Sequence, residues 1–172
     1  TYAARQFTIL DNRGICAHSG RCTDALPTVF RVGTEPFVAP AGGRADDILR
    51  AIQACPSGAL GAAIAERRAA DVVDRIRPPA IEVSKDGPYY VTGGVDLRDV
   101  AGNEPVRSAG ASSEHFALCR CGQSKNKPFC SGAHWYADFH DPVIDPDHEP
   151  TLFEWAGGHP VFLRVTRLFY ER

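Results

Sequence analysis

No run of apolar residues in this 172-residue sequence approaches the length needed to span a bilayer. The N-terminus lacks the charged, apolar and small-residue succession of a secretory signal, although a start at Thr1 leaves room for a leader or an initiator Met before it. No block of one charge is present either: 19 Lys and Arg face 21 Asp and Glu, for a formal net charge of -2. That balance removes the electrostatic footprint of a nucleic-acid binder or of a protein that sits on an anionic membrane. Neither Gly-x-Gly-x-x-Gly nor Gly-x-Ser-x-Gly occurs, which excludes the dinucleotide fingerprint and the hydrolase nucleophile elbow. No acid–base constellation of catalytic type stands in their place. The expectation is a cytoplasmic protein that is not an enzyme and has no nucleic-acid or membrane partner.

What the chain does have is cysteine and histidine in close order. Cys119, Cys121, Cys130 and His134 fall within sixteen residues, separated by one, eight and three others. Thiolate and imidazole are the side chains that hold zinc or iron–sulfur clusters, and four of them complete a tetrahedral metal site or a two-iron cluster. In a reducing compartment six cysteines read as ligands rather than disulfide partners, and Cys119 and Cys121 sit too close to bridge one another. A Cys-x3-His ending also occurs in zinc fingers, so spacing alone leaves zinc open.

The residues between the ligands narrow the choice. Cys119-Arg120-Cys121, Ser124, Lys127-Pro128-Phe129-Cys130, Gly132 and His134 together resemble the CDGSH iron–sulfur family, also called NEET proteins. The resemblance implies that Cys119, Cys121, Cys130 and His134 hold a [2Fe-2S] cluster. Two positions depart from the family pattern, Ser131 where aspartate is usual and Ala133 where serine is usual. Ser131 is expected to cap the short helix that follows, and the loss of a carboxylate there to raise the cluster's potential. Neutral imidazole in place of thiolate raises the potential further. It also adds a bond for which protons compete, so the cluster should become labile as pH falls toward and below ~6.5. Lys125 and Lys127 read as solvated loop residues, the alternative being that they guide an acidic redox partner or donate hydrogen bonds near the cluster. Trp135, Tyr136 and Phe139 read as packing that shields the site, and His115, His140, His148 and His159 as structural or surface residues. NEET folds pair two ligand motifs and only one is present here, so the resemblance implies a homodimer.

The other three cysteines lie in the first segment. Cys16 and Cys22 are followed at a distance by Cys55-Pro56, at the end of a helix predicted over Ala45 to Ala54 from Ile48, Leu49 and Ile52 on one face and Asp46 and Asp47 in the first turn. With the Leu26-Pro27-Thr28-Val29-Phe30 run and Cys55-Pro56-Ser57-Gly58-Ala59-Leu60, this segment resembles the divergent single-cluster ferredoxins. Ser19 stands where such a ferredoxin has a cysteine or aspartate. Three thiolates suit a [3Fe-4S] cluster, whereas a [4Fe-4S] cluster would need a fourth ligand from His18, Ser19 or solvent. The plain alternative is that Cys16, Cys22 and Cys55 are small buried hydrophobes.

Around these motifs the sequence predicts an α+β protein. Strands are expected near Arg5 to Leu10, at Ile81 to Val83 and at Tyr89 to Thr92, the last two joined by a Lys85-Asp86-Gly87-Pro88 turn. A helix or helical connector is expected over Ala62 to Ile76, ended by Pro78-Pro79. Residues 1–68 read as a ferredoxin-like domain and 69–141 as a NEET-type β-rich domain. Residues 142–172 read as a proline-rich acidic linker and a C-terminal helix carrying Val161, Val165, Leu168 and Phe169. From Leu152 to Tyr170 the sequence resembles the opening helices of truncated haemoglobins, which implies a globin domain beyond this chain. The expected function is one-electron transfer between redox partner proteins. The competing readings are a redox or iron sensor, a cluster carrier, and a zinc-folded interaction module.

Overall fold

The computed structural model describes residues 2–3, 7–64, 74–107 and 110–141. The expected C-terminal helix and globin-like stretch lie outside them. Two three-stranded antiparallel sheets carry the architecture. The first orders β1 (Tyr2–Ala3), β2 (Phe7–Asp11) and β3 (Leu60–Ile64), with β2 at the centre. Between β2 and β3 the chain makes a 3-10 turn at Arg13–Ile15, a short α1 (Arg21–Ala25) and α2 (Ala45–Gln53). The second sheet orders β4 (Ala80–Val83), β5 (Tyr89–Thr92) and β6 (Phe116–Leu118).

The strand β2 forms where the sequence predicts one, with Ile9 fully buried and its neighbours Thr8 and Leu10 only half-buried. Helix α2 also follows its pattern: Ile48, Ala51 and Ile52 are buried on one face, and Asp46 and Asp47 lie in the first turn. It closes as the Cys55 amide bonds back to Ile52 at 3.0 Å, just before Pro56.

The helix expected over Ala62 to Ile76 is overturned at its two ends, and its middle, 65–73, lies outside the described residues. Ala62, Ala63 and Ile64 belong to strand β3, paired with β2 from Asp11↔Leu60 to Phe7↔Ile64, and residues 74–79 are not helical. Alanine is the best helix former, but Ala62 at 0 % and Ala63 at 7 % exposure lie beneath the core. A small side chain fits that space, and pairing along the whole of β2 outweighs the local preference.

The larger hydrophobic core cluster among the described residues joins what the sequence presents as two segments. Ile9, Val29, Phe30 and Ile48 from the first and Val91, Phe116 and Phe129 from the second form one continuous cluster. Each such side chain contributes about 1.5–3 kcal/mol on burial, so neither segment keeps its share of the core alone. Phe116 and Phe129 meet edge to face at 6.1 Å. Consistently, Thr1–His140 is one compact unit.

A buried polar network ties the same segments together. Glu114 accepts hydrogen bonds from the Arg77 amide (3.1 Å), the Arg77 guanidinium (2.6 Å) and the Gly93 amide (3.0 Å). Arg77 also donates to the carbonyl of Gln53, at the end of α2. His115, 2 % exposed, places Nδ1 at 2.8 Å from the Ser112 hydroxyl and 2.9 Å from the Glu114 carboxylate. Its Nε2–H donates to the carbonyl of Cys55 at 2.7 Å. Gly58 permits this approach: a Cβ there would lie 2.6 Å from the His115 carbonyl, and its φ of +64° is itself strained for other residues. His115 is thus structural, as the sequence suggests, and it braces the turn that carries Cys55.

Candidate metal centres

The first centre is assembled from three separate elements. Cys16 follows the 3-10 turn, Cys22 lies in α1, and Cys55, 7 % exposed, stands at the end of α2. All three line one open cavity of about 330 Å³. A water-sized occupant needs only about 10–15 Å³ of such space, so the cavity suits a polynuclear group better than a lone ion. Burial, with smaller contributions from the neighbouring thiols, pushes the Cys16 thiol up to about 11 and raises Cys22 as well. Without a cation Cys16 and Cys22 are therefore held as thiols, and iron would supply the missing positive charge and release their protons. The donors fit a cluster.

His18 and Ser19 also line this cavity, as do Asp11 and Ser57, which the sequence reading missed. The Asp11 side chain is 8 % exposed and accepts from Arg13 Nε at 3.1 Å. Ser57 Oγ lies 3.7 Å from Cys55 Sγ and accepts from the Ala17 amide at 3.4 Å. Asp11 ends a strand and Ser57 follows a Cys-Pro, so neither carries a spacing signal of its own.

The second centre is a loop folded back on β6. The amide of Cys119 bonds to the Pro128 carbonyl at 2.9 Å and that of Cys130 to the Ala117 carbonyl at 2.8 Å, which brings the segment of Cys119 alongside that of Cys130. Ser124, 5 % exposed, donates to the Phe129 carbonyl at 2.6 Å and accepts from the Asn126 amide at 3.1 Å, closing the loop between the ligands. Arg120 pins the loop to the β4–β5 turn through the carbonyls of Gly87 and Ser84, both at 2.7 Å, and stacks over Phe139.

The four donors stand as two pairs. Cys119 Sγ and Cys121 Sγ are 3.9 Å apart, and Cys130 Sγ and His134 Nδ1 are 3.5 Å apart. Two sulfurs on one tetrahedral ion with 2.3 Å bonds stand about 3.8 Å apart, so each pair spans one metal. Among the described residues no three His, Cys, Asp or Glu side chains form a single-ion site. Two such pairs suit a two-metal cluster. The amides of Gln123 and Gly132 point at Cys121 Sγ (3.4 Å) and Cys130 Sγ (3.3 Å), where they would stabilise thiolate. Burial raises the Cys130 thiol and, reinforced by His18 and Arg120, holds His134 below its ordinary value. The imidazole is therefore kept neutral and able to ligate.

Two expectations around this centre are corrected. Gly132, not Ser131, is the N-cap of the 3-10 turn Ala133–Tyr136, and no side chain caps it; a left-handed glycine there takes the place of a polar cap. Trp135 and Tyr136 are 64 % and 85 % exposed, so they do not shield the site. Their turn lies at the surface with only His134 buried. Lys125 and Lys127 are exposed, as expected of solvated loop residues.

Donor sets of thiolate and imidazole in these two arrangements define an iron–sulfur protein, and the comparisons with known proteins agree. Residues 2–64 match the family described as divergent 4Fe-4S mono-cluster, and residues 86–135 match the one described as iron-binding zinc finger, CDGSH type. The uncharacterized protein YjdI of Escherichia coli K12 is 30% identical over 59 residues, which cover 34% of this chain and 78% of that protein, and YjdI of strain O157:H7 gives the same figures. The chain belongs to the divergent 4Fe-4S mono-cluster family through residues 2–64 and carries a CDGSH-type iron-binding region over residues 86–135.

Proposed function

We propose that this protein is a one-electron carrier with two clusters. Cys16, Cys22 and Cys55 would hold a [3Fe-4S] cluster, and a [4Fe-4S] cluster if an oxygen or imidazole from Asp11, His18, Ser19 or Ser57 supplied the fourth ligand. Cys119, Cys121, Cys130 and His134 would hold a [2Fe-2S] cluster. Such groups supply reversible one-electron storage, at a potential set by ligand charge and amide bonds to sulfur. The observation that carries this reading is the pairing of an all-thiolate set with an imidazole-containing set on one shared core. The imidazole set is the one expected at the higher potential. No enzymatic step is assigned to either centre, and redox proteins are the partners, a globin domain beyond this chain among them.

The single CDGSH motif and the edge strand β4, whose outer side pairs with no described strand and whose Ile81 and Val83 are 67 % and 59 % exposed, support a homodimer. No described helix is long and apolar enough to cross a membrane. A second reading, cluster delivery or sensing of iron and redox state, draws support from Cys119 and Cys121, which stay half-exposed while Cys130 and His134 are buried. The test is repeated reduction and reoxidation of the loaded protein, in parallel with incubation against an apo-acceptor. Constant iron and sulfide through the cycles support the carrier of electrons. Transfer of the [2Fe-2S] cluster to the acceptor supports delivery instead.

A further inference from the structure

The two centres meet along a seam that neither motif predicts. Trp135, next to the ligand His134, donates its indole N–H to the carbonyl of Ala17 at 3.3 Å, and Ala17 is next to the ligand Cys16. One hydrogen bond therefore joins a side chain to a backbone carbonyl, each on a residue next to a ligand. Ala17, 2 % exposed, shares a small buried cluster with Ala117 and the ligand Cys130. The His18 ring presses on Gly132, where a Cβ would lie only 2.8 Å from its Cγ and Nδ1 and 3.3 Å from the carbonyl of Cys16. His18 holds this place with a φ of +53°, a left-handed conformation that costs a non-glycine residue energy and persists only where its surroundings impose it. Ala17 and Ser19 line the same cleft as His134 and Trp135.

Resting on the two-cluster reading above, we infer that the seam of Ala17 and His18 against Cys130, Gly132 and Trp135 is an electron bridge between the two ligand sets. The electron given up at one set is gained at the other, and no bond or proton changes. A contact of this kind has a purpose beyond packing. Trp135 is 64 % exposed and gains little from burial, yet its polar edge is aimed at the carbonyl of Ala17, the residue after Cys16. Gly132 leaves open the space into which His18 fits.

The test uses the full chain with iron and sulfide content measured beforehand. Stepwise reduction with dithionite is followed by low-temperature electron paramagnetic resonance, with the microwave power that saturates the [2Fe-2S] signal as the readout. That power should shift severalfold as the first centre changes oxidation state. A saturation curve indifferent to the first centre, in protein that reduces reversibly at both, overturns the bridge and leaves the two-cluster carrier standing. A protein with one reducible centre overturns both. Trp135→Phe keeps a ring and removes the N–H. After photoreduction by less than one electron per chain, it should slow equilibration between the centres about tenfold, or about 1.4 kcal/mol in the barrier, at unchanged iron content. An unchanged rate overturns the role of the hydrogen bond, with Tyr136→Phe, one residue on and outside the seam, as the control.

Discussion

The first centre gathers Cys16, Cys22 and Cys55 from a loop, a short helix and a helix end, around a cavity that forms only when the core forms. The second takes all four donors from one stretch, Cys119 to His134, whose backbone bonds to its own loop and to β6 set the pairs 3.9 and 3.5 Å apart. A centre built from distant pieces depends on tertiary structure, and a centre built from one loop carries most of its geometry with it. The shared core and the Glu114–Arg77–His115 network then make even the local centre answer to the distant one.

The strongest way to break this comparison is to remove one ligand from the distant set. Cys55→Ala should abolish the first cluster while the second keeps its visible spectrum and its iron, as measured by iron and sulfide analysis. Loss of both clusters together would mean that the second loop does not hold its own geometry. Next in size is the network. Glu114→Gln leaves the part-buried Arg77 without its charge partner and should cost about 2–3 kcal/mol, read from the denaturation midpoint. Because Glu114 and Arg77 connect both segments, the two clusters should be lost at one midpoint and not at two.

Gly132→Ala comes after that. A left-handed φ of +75° costs an L-residue about 1–2 kcal/mol, and the contact with His18 adds to it. His18→Gly in the same chain should recover the part due to the contact, and thermal unfolding of the single and double variants separates the two terms. His134→Cys sharpens the contrast in acid. Burial holds His134 below its ordinary value and so neutral near pH 7, and only as pH falls below the ordinary imidazole range of about 6.5 does the proton gain on the metal. The second cluster should therefore bleach before the all-thiolate first one, and the substitution should delay it. Smallest of all, Lys125→Ala and Lys127→Ala, both exposed, should move stability by less than about 0.5 kcal/mol.

The local centre was the more legible in sequence for the same physical reason. A ligand loop closed by its own hydrogen bonds writes its donors within one short stretch, and the α2 helix and the β4–β5 hairpin likewise declare themselves by periodicity and turn residues. The distant centre announced its three cysteines but not Asp11 or Ser57, which reach the cavity only through the pairing of β2 with β3 and the turn after Cys55. The strand at Ala62 and Ala63 was hidden by alanine's helix preference. The cap assigned to Ser131 was misplaced because a left-handed Gly132 does that work without a side chain. Nothing in the spacing of Ala17 and Trp135 could bring them together, since their contact exists only because both segments share one core.

The central claim is that both donor sets hold iron and sulfide. Iron, zinc and acid-labile sulfide analysis of the purified protein, joined to low-temperature electron paramagnetic resonance before and after reduction, tests it most directly. The account predicts a brown or red protein with sulfide and two distinct paramagnetic species, one of them a reduced [2Fe-2S] signal shifted by imidazole ligation. A colourless protein with stoichiometric zinc and no sulfide would contradict it.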